Sequence, residues 1–162
     1  MPTTLSTCRE AASYEAFAEA CPFPVLVLES VGVLSEVTGS FTLDFASGCA
    51  QPGEALVLEI TPKIPRRHPL QNFITLGRSV KNDLELKVEG VSRFHAYLRP
   101  TDEGYVITDA GSRNGTLVNG ARLEGAREGH TLRPGDRVQL GSFATLIFHT
   151  PESFYQQVQE AA

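Results

Sequence analysis

Ser92, Arg93 and His95 bring a hydroxyl, a guanidinium and an imidazole within four residues of one another, in the stretch VSRFHAYL. Ser92 with His95 makes a candidate nucleophile and base, His95 a candidate metal ligand, and Ser92 with Arg93 a candidate anion grip. Strand parity weighs against the first, since residues three apart on a regular strand point to opposite faces. A nucleophile and its base must lie within hydrogen-bond reach. Ser92 can meet His95 only from a turn before the strand. No G-x-S-x-G elbow surrounds Ser92, and no spacing recruits Asp109 as a third member. His68, His95, His130 and His149 lack the paired spacing that convergent zinc ligands show. Neither a G-x-x-x-x-G-K-[ST] run nor a post-strand G-x-G-x-x-G is present. We therefore expect no catalytic residue, no metal and no cofactor, and read His95 as a brace for a neighbouring loop.

Anion capture remains. Arg78 follows Gly77 at the end of FITLG, and Arg113 and Asn114 lie in the turn GSRNGT. An arginine fork joined by hydroxyl and backbone donors suits a phosphate monoester. Charge is distributed accordingly. The 162-residue chain has a net charge of −5, yet residues 62–99 carry eight basic side chains against three acidic ones. An acidic chain with one basic segment is poorly suited to general nucleic-acid binding, which needs many phosphate contacts. It can still grip one or two anionic groups.

Loops of this kind need a rigid frame. From Glu54 onward the chain reads as short strands: EALVLEITP, NFITLG, DLELKV, RFHAYLRP, GYVITDA, TLVNGARLE, HTLR, DRVQLG and ATLIFHT. Turn residues separate them, as in EGVS, TDEG, AGSRNG and PGD. The pattern predicts an all-β antiparallel sandwich or barrel, with no helical signal to suggest a βαβ enzyme fold. Alternate turns of a sandwich share one end, so the three donor-bearing turns can converge.

Upstream, Thr7–Glu10 reads as a capping box for a helix through AASYEAFAEA, ending before Pro22. FPVLVLES and SFTLDFAS read as strands. We take residues 1–53 as an N-terminal extension packed on a main domain at 54–150. Thr150 and Pro151 open a C-terminal helix, 151–162, with Phe154, Tyr155 and Val158 as its apolar stripe. Cys8, Cys21 and Cys49 are odd in number and widely spaced, as expected of free thiols in a reducing cytoplasm. No apolar run approaches the ~18 residues of a membrane helix, and MPTTLSTCRE lacks the features of a secretory signal.

Four motifs taken together, LGRSVKNDLEL, VSRFHAYL, DAGSRNGTLVNG and LRPGDRVQLG, closely resemble the forkhead-associated (FHA) domain. The resemblance covers roughly residues 55–150. It implies an eleven-stranded β-sandwich whose loops at one end bind phosphothreonine in a partner protein, flanked here by short N-terminal and C-terminal helices. Carried over, Arg78 and Ser92 would contact the phosphate, and Arg93 would add a phosphate or backbone contact. Asn114 would bond the partner's main chain. Arg113 stands where the family commonly has Thr, Ser or another polar residue, and would add a phosphate contact or bias flanking preference. Gly77, His95, Gly115, Asn119 and Gly120 match architectural positions that would support the site. The implied partner is a threonine-phosphorylated protein or peptide in a Ser/Thr kinase pathway, the kinase or its substrate, with neither nucleic acid nor membrane. The alternative is an FHA-fold scaffold that binds a partner through a phosphate-independent surface. A kinase acting on Thr3, Thr4 or Thr7 would also place a phosphothreonine on the chain itself.

Overall fold

Alternating apolar residues build the molecule into two facing sheets. The computed structural model describes residues 13–20, 22–31, 56–61, 73–125, 129–142 and 144–160. The first sheet is formed by β1 (Val25–Val31), β2 (Leu56–Glu59), β7 (Thr116–Val118), β8 (Ala121–Arg122), β10 (Arg137–Leu140) and β11 (Ala144–His149), in the order β2-β1-β11-β10-β7-β8. The second has β3 (Ile74–Gly77), β4 (Leu84–Glu85), β5 (Ala96–Thr101), β6 (Gly104–Asp109) and β9 (Gly129–Thr131), in the order β4-β3-β5-β6-β9. Leu26, Leu58, Leu140 and Leu146 from one sheet meet Leu76, Ala96, Leu98 and Ile107 from the other in a single buried cluster.

The eleven strands and two short helices match the expected β-sandwich. Among the described residues every strand pairing is antiparallel except the two-residue β3–β4 contact, Leu76 opposite Leu84, which is parallel. The strand expected over DLELKV contracts to Leu84–Glu85. Beyond it the Leu86 N–H donates to the Gly77 carbonyl at 2.8 Å, and the chain then turns, keeping Leu86, Val88 and Val91 buried. TLVNGARLE divides into β7 and β8 around Asn119 and Gly120, at φ 52° and 85°. Two consecutive positive φ values are what a tight two-residue hairpin requires.

Residues 25–31, expected within the N-terminal extension, supply an interior strand of the first sheet. Val25 and Leu26 are buried there, and β1 pairs with β11 from Val25 opposite His149 to Val31 opposite Ala144. The capping box at Thr7–Glu10 and the expected strand SFTLDFAS lie outside the described residues. The described helix, α1 (Tyr14–Ala20), follows Ser13, whose Oγ accepts from the Ala16 N–H at 3.3 Å.

The β1–β11 register places both helices at one pole. The chain enters β1 and leaves β11 there, and α2 (Pro151–Glu160) follows at once. Phe17 of α1 meets Phe154 and Tyr155 of α2 at ring separations of 5.8 and 5.1 Å. The turn from β10 to β11 lies at the other pole, with the loops that carry Arg78, Ser92 and Arg113. Phe17→Ala should remove the buried ring that joins the two helices, at a cost of about 3–5 kcal/mol. Urea unfolding would show this as a lower midpoint.

Candidate functional site

Backbone hydrogen bonds bring the Arg78 loop onto the Ser92–Arg93 loop. The Arg78 N–H donates to the Ser92 carbonyl at 2.9 Å, and the Ser79 N–H to the Arg93 carbonyl at 3.1 Å. Asn82, buried, donates its amide to the Arg93 carbonyl at 2.5 Å and the Ser79 carbonyl at 2.9 Å. Gly77 makes room for this approach: a Cβ there would overlap the Arg93 carbonyl. Its requirement is therefore close contact between backbones.

His95 ties the second loop to the third. Its Nδ1 accepts from the Ser92 N–H at 2.9 Å, so the ring proton resides on Nε2 and is donated to the Gly115 carbonyl, also at 2.9 Å. Burial lowers the His95 pKa below its ordinary value, outweighing the opposing influence of the Gly115 carbonyl and Asp109. The imidazole is neutral with both nitrogens engaged, which leaves no basic lone pair for the Ser92 hydroxyl. The geometry thus disposes of the Ser92–His95 nucleophile pair. Instead the Ser92 Oγ accepts from the Arg113 N–H at 3.0 Å. A hydroxyl that accepts from the protein keeps its own proton for an outside acceptor.

Asp109 shapes the third loop. Its carboxylate accepts from the Gly111 N–H at 2.9 Å, the Ser112 N–H at 3.0 Å, the Ser112 hydroxyl, and the Thr116 hydroxyl at 2.7 Å. Burial pushes its pKa up, but these four donors prevail and hold it below the usual carboxylate value. Ser112 Oγ in turn accepts from the Gly115 N–H at 3.0 Å. Asn114 donates its amide to the Gly90 carbonyl at 2.9 Å, which leaves its Oδ1 to accept from a ligand N–H. The β10–β11 turn closes against both loops. The Gly141 N–H donates to the Gly115 carbonyl at 3.0 Å, and a Cβ at Gly141 would come within 2.7 Å of the Gly90 carbonyl.

Arg78, Ser92, Arg93, Arg113 and Asn114 thus lie on loops bonded to one another at one pole. Ser92 is half-buried and the other four are exposed. Among the described residues Arg78, Arg93 and Arg113 have no carboxylate partner. Gly77, His95 and Gly115 lie beneath them. Asn119 and Gly120 do not: they turn the chain at the far end of β7, where Asn119 donates to Asp136 Oδ1 and accepts from the Arg137 N–H, each at 3.0 Å. Asn82, Gly90, Asp109 and Gly141 carry much of the local architecture without having been singled out for it. DAGS, with a carboxylate two and three residues before two N–H groups, held the signal of an Asx turn. The Asn82 bond to Arg93 and the Gly141 contacts with Gly90 and Gly115 span eleven or more residues, which no local pattern reveals.

Comparison with known proteins agrees with this frame. The FHA domain family model matches residues 74–141. The oxoglutarate dehydrogenase inhibitor of Corynebacterium efficiens is 32% identical over 123 residues, covering 74% of this chain and 84% of that protein. The glycogen accumulation regulator GarA of Mycobacterium tuberculosis is 31% identical over 139 residues, covering 74% and 83%. Among solved structures, the FHA domain of an Arabidopsis thaliana hypothetical protein aligns with a TM-score of 0.53 at 24% identity, covering 78% of this chain and 84% of that one. The N-terminal FHA domain of S. cerevisiae Rad53p, solved in complex with a phosphothreonine peptide, aligns at 0.50 and 22%, covering 65% and 92%.

The direction of the His95 shift sets a pH dependence. A histidine whose folded pKa lies below its unfolded value of about 6.5 contributes full stability above that value and loses it as pH falls toward the folded pKa. Urea unfolding should therefore show lower stability at pH 5.5 than at pH 7.5. His95→Leu should flatten part of this difference, with buried His149, also lowered, supplying another part. At pH 7.5 the same variant should cost about 1–3 kcal/mol for the Ser92 N–H left unpaired, while the Gly115 carbonyl keeps its bond from the Gly141 N–H.

Proposed function

The chain belongs to the FHA-domain family, and on that premise we propose that it is a non-catalytic phosphothreonine-recognition module acting in Ser/Thr kinase signalling. The observation that carries this reading is the Ser92 hydroxyl, which accepts from the Arg113 N–H and so keeps its own proton for a ligand, on loops shared with three arginines that have no carboxylate partner among the described residues. A phosphothreonine brings close to two negative charges and three strong acceptors. In this reading Arg78 and Ser92 hold the phosphate, and Arg93 and Arg113 add charge at its edge. Asn114, braced by Gly90, receives a main-chain N–H of the partner through Oδ1. A glutamate, with one charge and a planar head, fits such a cradle poorly.

The names of two relatives, an inhibitor of oxoglutarate dehydrogenase and a regulator of glycogen accumulation, support a partner among metabolic enzymes. Recognition without chemistry suits such control, because occupancy alone alters the partner.

Fluorescence polarisation with matched peptides tests the proposal. A threonine-phosphorylated peptide should bind in the micromolar range, near −8 kcal/mol. Its unphosphorylated and glutamate forms should bind at least tenfold more weakly. Hydrogen bonds to charged groups contribute about 1.5–3 kcal/mol, so Arg78→Ala and Ser92→Ala should each weaken binding roughly 10- to 150-fold. Equal affinity for phosphorylated and unphosphorylated peptides, or full affinity in both variants, would refute the reading.

A further inference from the structure

Phe73 and Phe94 are 39% and 47% exposed, among the most exposed aromatic side chains of the described residues. They are not isolated. Tyr97 lies between them, edge-to-face with Phe73 at 5.1 Å and parallel to Phe94 at 6.4 Å. Strand parity explains their placement. On β5, Ala96 and Leu98 enter the core, so Tyr97 and Arg99 occupy the outer face. Phe73 precedes Ile74, which is buried and pairs with Leu98, so Phe73 belongs to that outer face too. The rings thus form a strip on the outside of the five-stranded sheet. Phe94 directly follows Arg93, which joins the strip to the recognition loops. Arg93 and Arg99 are exposed beside the strip, while the nearby Asp83 carboxylate is engaged by the N–H and hydroxyl of Thr75, opposite Tyr97.

A core function does not account for rings this exposed. Rigid aromatic rings beside arginine are the usual anchors of protein recognition, because they offer large contact area at small conformational cost. We propose that the outer face at Phe73, Tyr97 and Phe94 is a specificity subsite for the phosphorylated partner. It takes a large apolar side chain, with an acidic residue beside it, from the chain whose phosphothreonine occupies the loops. The inference rests on the phosphothreonine reading above. An extended peptide advances about 3.3 Å per residue, and Phe94 is two residues from Ser92. The apolar side chain therefore lies two to five positions from the phosphothreonine. Charge selects the acidic neighbour: Arg93 and Arg99 favour it and disfavour lysine.

A positional phosphothreonine library tests this on the full chain. Each peptide carries Phe, Leu or Ala at one position from two to five residues on either side, with or without an adjacent Asp. One position should favour Phe or Leu over Ala at least fivefold, with a further gain from Asp. Phe73→Ser and Phe94→Ser should erase that preference and leave affinity for the all-alanine phosphopeptide within twofold. Arg78→Ala should weaken every phosphopeptide. Phosphate-dependent binding with no apolar preference, or a preference that persists in both ring variants, would overturn the subsite and leave the phosphothreonine reading standing. Equal binding of unphosphorylated peptides would overturn both. Sedimentation adds an independent outcome: a dimer that Phe94→Ser dissociates would make a second copy the occupant and overturn the inference. Should a serine variant unfold, nuclear Overhauser contacts between a methyl-labelled Leu peptide and the Tyr97 ring in the wild type decide the matter, and their absence overturns it.

Discussion

The hydrogen-bond relay from Ser92 through His95 to Gly115 is the constraint on which the recognition pole depends. One neutral imidazole accepts at Nδ1 and donates at Nε2, so it joins the tips of two loops whose bases meet where β5 pairs with β6. A lysine has no acceptor and a carboxylate no donor, and neither could take this place unchanged. Burial serves the relay directly. It keeps the ring neutral, and only the neutral ring can accept from the Ser92 N–H. The same bond fixes the Ser92 backbone, which lets its side chain meet the Arg113 N–H. Position, protonation state and hydroxyl orientation thus follow from one buried histidine.

Around the relay, close backbone contact does what side-chain packing does in the core. Gly77 admits the Arg93 carbonyl, Gly141 admits the Gly90 carbonyl, and Asn82 fills the remaining gap with an amide. These contacts leave the loop carbonyls satisfied from within the protein. The exposed arginines, the Ser92 hydroxyl and the Asn114 Oδ1 are then the groups with hydrogen-bonding capacity to spare. A chain of net charge −5 therefore presents a positive pole. Solvent screens that pole over a distance of about 8–10 Å, so its attraction is local and complements the geometry of the donors.

Much of this was legible in the residues, for reasons that differ from place to place. Strand alternation in FITLG and RFHAYLRP marked the core face, because a two-residue period is a local property. Asn119–Gly120 was legible as a turn for the same reason, yet its distance from the recognition pole was not. Knowing that requires the direction of β7. The interior position of β1 was hidden as well. FPVLVLES reads as a strand, but its pairing with β11 joins residues at opposite ends of the chain. The 53/54 boundary followed composition, whereas sheet membership follows registers that composition does not encode. Asp109 shows the converse: its Asx-turn pattern is local to DAGS, and a carboxylate that accepts from the Gly111 and Ser112 N–H groups is legible there.

The separation of the two poles bears on how recognition can be controlled. The strands run between them, so α1 and α2 dock where β1 begins and β11 ends, away from Ser92 and Arg113. A change in the helical pair reaches the recognition loops only through the strands that separate the two poles. The aromatic face on β5 is different. Tyr97 is two residues from His95, and Phe94 is its immediate neighbour, so contact with that face bears on the relay that orients Ser92. A partner engaging the rings would brace the segment that must stay ordered for phosphate binding. The loops are already held by buried bonds, so what remains to be immobilised is mainly the long arginine side chains, at about 0.5–1.5 kcal/mol each. That modest ordering cost is compatible with binding by a few hydrogen bonds, and with release once the phosphate is removed.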